Sequence, residues 1–388
     1  MFNIKLLNYL KKIRFIIILF LAFYDEILEY LQKKEINFIQ FEKDGRELEY
    51  IDKFHSLKAK YSKDLFLYSF LKEISITSYD YTKMLKKDNN LVHIMVSLNN
   101  KYIYPLIISI TSALINSNKS STTLVYHILY SKDLRKKYIN NLKSLLYFYP
   151  TNLVLIFYNI GECFIQFKKQ QYSQVAYYRL ISPIFIPLDR IIYLDCDVLI
   201  FKDLYELYET PLKNNYVLGF LDIISDAVDY LGLISEKYIN DGVILLNLEK
   251  IRKDNKHYEL LYMALNKKNL RNHDQTVINY VLYPKIGIIP FKFGIFNFPS
   301  IFDIKYLYLK KIRQKLNINE LLKAFKDPSL MHFVLCSPKA WLPNSIYVSI
   351  STRNGTLYKS KCEKFHIIWM KYAKLTPIYD EIIKNFII

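Results

Sequence analysis

The chain reads as an α/β protein built on an open, mostly parallel sheet, and three observations carry that reading. Beyond about residue 90, short β-rich runs alternate with stretches that are apolar at helical spacing, the signature of βαβ units with crossover helices. The 388 residues are 52% hydrophobic and 16% aromatic, enough for a large core and unlike a disordered chain. One apolar run, Arg190 to Leu204, carries two carboxylates, Asp195 and Asp197. An unpaired charge buried there would cost several kcal/mol.

The first 90 residues are expected to be a helical extension rich in Lys, Glu and Tyr. Lys5, Lys11, Lys12 and Arg14 precede the apolar run Phe15 to Tyr24, which is too short to span a bilayer as a helix. Asp25 and Glu26 follow it without a small-residue cleavage site, which argues against a signal peptide. The apolar positions continue through Ile27, Leu28 and Leu31, so one longer helix is expected, packed on the protein or lying on a membrane surface. A second apolar stretch runs from Leu65 to Ile74, and the polar Lys86 to Asn90 reads as a linker.

The alternation then begins. Leu91 to Ser97 is a strand, Tyr102 to Asn116 a helix and Thr123 to Tyr130 a second strand. Ser131 is placed to cap a helix with Asp133 in its first turn and its end near Phe148, and Leu153 to Tyr158 is a third strand. Ligands of open α/β sheets bind beyond the carboxyl ends of the strands, where Asn99 and Asn100 fall. A helix from Gln174 to Phe185 leads into the strand with Asp195 and Asp197. Tyr238 to Arg252 reads as a turn entering an apolar strand, with Asn240 and Asp241 at its polar start. Asn272 is placed to cap a helix beginning His273-Asp274-Gln275, and Ser329 to Val334 is a strand holding His332, followed by Lys339 and Trp341.

On a strand of period two, Asp195 and Asp197 project to one side and Cys196 to the other. Two adjacent hard oxygen ligands suit Mg2+ or Mn2+ with phosphate oxygens completing the shell, while the bland alternative is an Asx-capped turn. No GxGxxG or GxxxxGK[ST] loop occurs, so any nucleotide must be held by carboxylate, metal and lysine. Cys163, Cys196, Cys336 and Cys362 are isolated, which argues against a zinc site or disulfide framework and fits a reducing compartment. The formal charge is +18, and residues 301 to 388 hold 15 Lys and Arg against 6 Asp and Glu. That placement points to a basic face for phosphates, on a donor or an anionic membrane. No nucleic-acid-binding motif accompanies the charge, so no nucleic acid is expected as a partner.

The order of these segments resembles glycosyltransferase family 8, the retaining nucleotide-sugar transferases of GT-A fold that include bacterial lipopolysaccharide galactosyl- and glucosyltransferases and glycogenin. The likeness spans roughly residues 91 to 342: Tyr177-Tyr178-Arg179-Leu180, the Leu-Asp-Cys-Asp-Val-Leu segment, Asn-x-Gly-Val-x-Leu-x-Asn-Leu at Asn240 to Leu248, Asp274-Gln275, and a terminal His with Lys-x-Trp. It implies a helical extension at 1–90, a GT-A domain at 91–345 with a Rossmann-like sheet, and a basic region at 346–388. It also implies roles. Asp195, Asp197 and His332 would hold Mn2+ or Mg2+; Lys339 would neutralise the departing phosphate; Arg179 would hold the donor sugar or diphosphate. Asn99, Lys101 and Tyr102 would hold the uridine of a UDP-sugar, and Asp222, Asn240, Asp274 and Gln275 would line the sugar and acceptor side.

The chain departs from the family pattern in three places. It has Leu98-Asn99-Asn100-Lys101-Tyr102 where the family has a Thr-Asp-x-x-Tyr loop, Asp241 where the family has a small residue, and one extra residue between His332 and Lys339, without the family's Gly or its Pro. The bland readings stand beside the functional ones: His332 as a core histidine, Arg179 as a surface ion pair, Lys339 as solvated, Asp274 as a first-turn helix acid, and Asn240 and Asp241 as a tight turn with Gly242.

The implied reaction is transfer of a hexose, from UDP-glucose or UDP-galactose, with retention of configuration through an oxocarbenium-like state. No covalent nucleophile follows from the sequence; Asp241 and Gln275 are the first candidates, with Asp274 and Lys339 also on the catalytic side. The expected acceptor is a glycan or lipid-linked glycan of cell-surface polysaccharide, and the expected location is cytoplasmic, with peripheral contact at the inner face of the membrane. The competing class is a catalytically impaired relative that binds membrane or glycan.

Overall fold

The computed structural model describes residues 45–82, 89–150, 152–167, 174–224, 237–266, 270, 272–298, 317–337, 339–342, 346–350, 357–361 and 363–386. The apolar run Phe15 to Tyr24 lies outside them, as does most of the Lys86 to Asn90 linker. The chain separates into a unit of residues Met1–Asp52, described only over the start of the helix Gly45–Tyr61, and a unit Lys53–Ile388 that holds every strand among the described residues.

Among the described residues, the larger unit is organised on an eight-stranded sheet of order β1-β4-β3-β2-β5-β8-β7-β9. Its strands are β1 (Ser75–Tyr81), β2 (Asn90–Leu98), β3 (Thr122–Tyr130), β4 (Leu153–Asn159), β5 (Arg190–Leu194), β7 (Val217–Leu221), β8 (Ile239–Asn247) and β9 (Ile286–Ile288). The pairs β4–β3, β3–β2, β2–β5 and β7–β9 are parallel, and β1–β4, β5–β8 and β7–β8 antiparallel. All nine residues of β3 are buried, which is why it reads as a continuous apolar run; a central parallel strand is covered on both faces.

A three-stranded sheet, β10 (Ile295–Phe296), β11 (Leu330–His332) and β6 (Val198–Ile200), lies just beyond the Asp-Cys-Asp turn. Antiparallel pairing sets His332 opposite Val198. A third sheet joins β12 (Cys336–Ser337), β13 (Ile346–Ile350) and β14 (Leu357–Lys361). The apolar helix Ile103–Asn116 follows β2 and is buried over nearly its whole length. The helix Glu363–Ala373 adds Trp369, whose ring lies 5.3 Å from both Phe333 and Trp341.

The structure corrects the sequence reading at four elements. The stretch expected to be helical up to residue 90 contains β1, antiparallel on the edge of β4; alternation in Ser-Ile-Thr-Ser-Tyr-Asp-Tyr carries the strand signal. The helix expected to be capped by Ser131 starts at Lys136, because the Ser131 hydroxyl donates to Asp133 and forms a local turn instead. The helix expected over Gln174 to Phe185 is broken into a 3-10 turn, one α turn Tyr178–Ile181 and a second 3-10 turn, with Pro183 in the last. Asp195-Cys196-Asp197 is a turn between β5 and β6 and not a strand. The alternation argument therefore does not apply to the acid pair, whose shared direction comes from that turn.

Candidate active site

The site lies where β5, β8 and β11 end or cross. The carboxylate oxygens of Asp195 and Asp197 and a ring nitrogen of His332 lie within 4.8 Å of one another. His332 Nε2 is 3.1 Å from Asp197 Oδ1 and 3.4 Å from Asp195 Oδ2. Two backbone bonds hold the turn: the Asp195 N–H donates to Gly242 O at 2.9 Å, and the Phe333 N–H donates to Asp197 O at 2.9 Å. Cys196 points away and its buried thiol donates to Ser97 O at 3.3 Å. Burial raises the thiol's pKa well above its ordinary value, so it is a poor metal ligand.

Lys339 Nζ reaches Asp197 Oδ2 at 2.5 Å. The extra residue in its loop therefore does not keep its amine from the acid pair. Burial works against its charge, but Asp197 outweighs that and raises the Lys339 pKa. Burial likewise disfavours a charged His332, yet Asp197 and Asp195 raise it to about 9. Asp197 is held well below the usual carboxylate range by Lys339 and His332 against the opposing effect of burial.

Arg179 is 4% exposed and each nitrogen of its guanidinium faces a carboxylate: Nη2 to Asp195 at 3.0 Å, Nη1 to Asp241 at 3.1 Å and Nε to Asp274 at 3.0 Å. Its guanidinium carbon sits 3.7 Å from the centre of the Tyr193 ring, and the Tyr193 hydroxyl donates to Asp195 Oδ1 at 3.0 Å. Burial raises the pKa of both Asp241 and Asp274 against the opposing charge of Arg179, and the Asp195 carboxylate adds to the rise in each. Gln275 donates from Nε2 to Asp222 Oδ2 at 2.7 Å, and its Oε1 accepts from Asn240 Nδ2 at 3.1 Å.

The remaining expected residues lie at the carboxyl edge of β2. The Asn99 side chain accepts from the Lys101 N–H at 2.9 Å, so it shapes the loop, and Lys101 is exposed. Asn100 turns away, donating to Asp133 O at 3.0 Å. The Tyr102 ring stands edge-on to Trp341 at 5.9 Å, and burial raises its phenol to about 12.

The donor set, two carboxylates and an imidazole converging on one point, fits Mn2+ or Mg2+, and Asp195 is the more exposed of the two acids. Tyr193 was not singled out from sequence, and Gly242 was named only as part of the Asn-x-Gly segment and of a tight turn. Tyr193 had a signal, since residues i and i+2 at a strand end share a side with Asp195. For Gly242 the reason is spatial: a Cβ there would overlap the His332 ring.

A family model described as glycosyl transferase family 8 matches residues 93–345. The chain belongs to that family. A lipopolysaccharide 1,2-glucosyltransferase of Escherichia coli is 29% identical to this family 8 chain over 51% of it and 61% of the relative. General stress protein A of Bacillus subtilis is 28% identical over 29% of the chain and 42% of the relative. The chain thus spans less than two-thirds of the length of these relatives. Among solved structures, the bifunctional glycosyltransferase WbbM superposes with a TM-score of 0.60 at 20% identity, over 78% of this chain and 53% of that one. The galactosyltransferase LgtC, with donor and acceptor sugar analogues, gives 0.55 at 19% identity, over 72% and 96%. These likenesses establish the GT-A fold. Among the described residues, no helix is long and apolar enough to cross a membrane.

Proposed function

We propose that this chain is a metal-dependent, retaining hexosyltransferase that moves a sugar from a UDP-sugar, glucose or galactose, to a glycan or lipid-linked acceptor in cell-surface polysaccharide synthesis, working at the cytoplasmic face of the membrane. The observation that carries this reading is the meeting of Asp195, Asp197 and His332 with Lys339 against the same acid pair. The E. coli relative, by its name a lipopolysaccharide glucosyltransferase, supports the substrate class. The basic stretch 301 to 388 supports an anionic surface as the setting.

Asp195, Asp197 and His332 would hold Mn2+ or Mg2+, which when bound offsets charge on the donor diphosphate. Lys339 offers a protonated amine at the same place, and its contact with Asp197 keeps that amine charged and positioned. Negative charge developing on the leaving phosphate is stabilised there as the bond from sugar C1 breaks. Tyr102, backed by the buried Trp341, offers an aromatic ring near Lys339 for the base, with Asn99 and Lys101 on the Tyr102 loop. Arg179 orders three carboxylates, Asp195 of the cation site and Asp241 and Asp274 of the sugar side, and so links the two. Asp222, Asn240, Asp241, Asp274 and Gln275 define the sugar side.

Asp195→Asn or Asp197→Asn is expected to abolish Mn2+-dependent transfer from UDP-glucose or UDP-galactose in a protein that still folds, with a lowered unfolding temperature because Arg179, or Lys339 and His332, lose a charged partner. Full activity in either variant overturns the metal assignment. The second reading, a binding protein with impaired turnover, is favoured by one observation: Asp241 brings an extra carboxylate onto Arg179 where the family has a small residue. Calorimetry of a UDP-sugar with and without Mn2+, followed by an assay of donor hydrolysis, separates the two, because binding without turnover supports the impaired relative.

A further inference from the structure

Each carboxylate of the acid pair has one oxygen held by another side chain and one that faces His332. Asp195 Oδ1 accepts from the Tyr193 hydroxyl at 3.0 Å and from Arg179 Nη2 at 3.0 Å. Its other oxygen, Oδ2, lies 3.4 Å from His332 Nε2. Asp197 divides its oxygens in the same way: Oδ2 accepts from Lys339 Nζ at 2.5 Å, and Oδ1 lies 3.1 Å from His332 Nε2. Asp195 Oδ2, Asp197 Oδ1 and His332 Nε2 therefore converge, while the two remaining carboxylate oxygens are taken up by Tyr193, Arg179 and Lys339.

Tyr193 is the member of this set that the resemblance to family 8 did not name. It is the next-to-last residue of β5 and is buried, with Met95 of β2 beside it in register on one side and Ile244 of β8 on the other. Its ring face carries the Arg179 guanidinium, whose carbon lies 3.7 Å from the ring centre. One side chain thus touches Asp195 Oδ1 directly and seats the guanidinium that bonds the same oxygen. The carboxylate needs that support, because the last torsion of an aspartate is intrinsically broad and does not fix which oxygen points where. We infer that Tyr193 is a positioning residue of the cation site: its hydroxyl, with Arg179 seated on its ring, pins Asp195 Oδ1, so that Oδ2 is presented beside Asp197 Oδ1 and His332 Nε2. The inference rests on the proposed cation site and adds to it a residue that touches neither cation nor donor. Hydrogen bonds of this outer kind orient ligating carboxylates, and their loss costs about 10- to 100-fold in metal affinity.

Tyr193→Phe isolates the hydroxyl, because it keeps the ring under Arg179 and leaves Asp195 Oδ1 its bond from the guanidinium. In the full chain it is expected to weaken Mn2+ binding about 10-fold by calorimetry. The rise in unfolding temperature that Mn2+ gives the wild type should shrink accordingly, since a ligand stabilises in proportion to its occupancy of the folded state. Tyr158→Phe is the control. It also removes a buried tyrosine hydroxyl with a hydrogen-bonded partner, but on β4, which β3 and β2 separate from β5. It is expected to bind Mn2+ with wild-type affinity. Unchanged affinity in Tyr193→Phe overturns the inference, and so does an equal loss in Tyr158→Phe, which would make the effect one of general packing. A wild type that binds no Mn2+ removes the cation site itself, and the positioning role falls with it; wild-type binding with an unaffected Tyr193→Phe removes the positioning role alone.

Discussion

At the scale of single residues, the site is a problem of charge placed where water is scarce. Asp197 is 5% exposed and Arg179 4%, and such charges persist only because each has a partner within ion-pair distance. Gly242 shows how little room the arrangement leaves. Its missing side chain makes space for the His332 ring, so Gly242→Ala must displace a ring held on one side by Asn240 and on the other by the acid pair. The expected result is loss of measurable Mn2+ binding in calorimetry with a smaller effect on the unfolding temperature. Unchanged binding would mean that the ring can move without consequence. The residues legible in the sequence at this scale were the ones with unusual chemistry for their surroundings, such as two acids in an apolar run. The parts played by Tyr193 and Gly242 were not, because an aromatic and a glycine on strands are ordinary until the neighbour they touch is known.

At the scale of elements, the broken helix that presents Arg179 is held from behind. Arg252 donates to the carbonyls of Pro183 and Ile186 at 3.2 Å and of Leu188 at 2.7 Å, satisfying groups at and beyond the end of the broken helix that no helix would pair. Arg252→Leu leaves those carbonyls without their charged donor and is expected to cost about 2 kcal/mol or more, measured by urea unfolding. A change below about 0.5 kcal/mol would show the bonds to be replaceable by water. A second element-scale feature crosses β2, β3 and β4. His93 Nδ1 lies 3.0 Å from His127 Nε2, and His127 Nδ1 lies 3.1 Å from the Tyr158 hydroxyl. Burial lowers His93 to about 4 and lowers His127 as well. Both imidazoles thus bind protons less readily folded than unfolded, and stability rises with pH in that window. Acidifying from the ordinary imidazole value of 6.5 toward about 4 is expected to destabilise the fold, by up to about 1.4 kcal/mol per pH unit for each proton bound only on unfolding. His127→Gln should reduce that slope in pH-dependent thermal unfolding; an unaltered slope would place the acid sensitivity elsewhere. His332 acts in the opposite sense in metal-free protein. Its contribution is full below 6.5 and is lost as pH rises through about 9.

At the scale of the whole molecule, the site depends on chain far beyond the residues that match the family. The helix Glu363–Ala373 seats Trp369 against Trp341 and Phe333, and these two flank the segments bearing Lys339 and His332. Trp369→Ala is expected to cost about 3 to 5 kcal/mol of stability and to raise KM for the UDP-sugar even where the protein remains folded, since Lys339 loses its support. Retention of wild-type KM at a temperature where the variant is folded would uncouple the C-terminal helix from the site.

The sequence by itself determined the α/β class, the parallel strands β2, β3 and β4 and the helix after β2, because these rest on local pattern, continuous apolar runs for doubly covered strands. Of the candidate site, the acid pair stood out in the same way, as charge inside an apolar run, while the other members were expected only from the resemblance to family 8. Local pattern misplaced the start of the helix Lys136–Phe148 and joined three short turns into one helix, where a hydroxyl bond and a proline outweigh apolar spacing. Only the tertiary structure decided that Asp195 and Asp197 meet His332 across a turn, that Arg179 serves three carboxylates, and that Asn240 is turned toward the imidazole. Those facts depend on β8 and β11 approaching the end of β5, contacts between residues as much as 137 positions apart in the case of Asp195 and His332. Local propensity carries no information about which distant groups will share a desolvated space, and that sharing sets the charge and reach of the groups in the site.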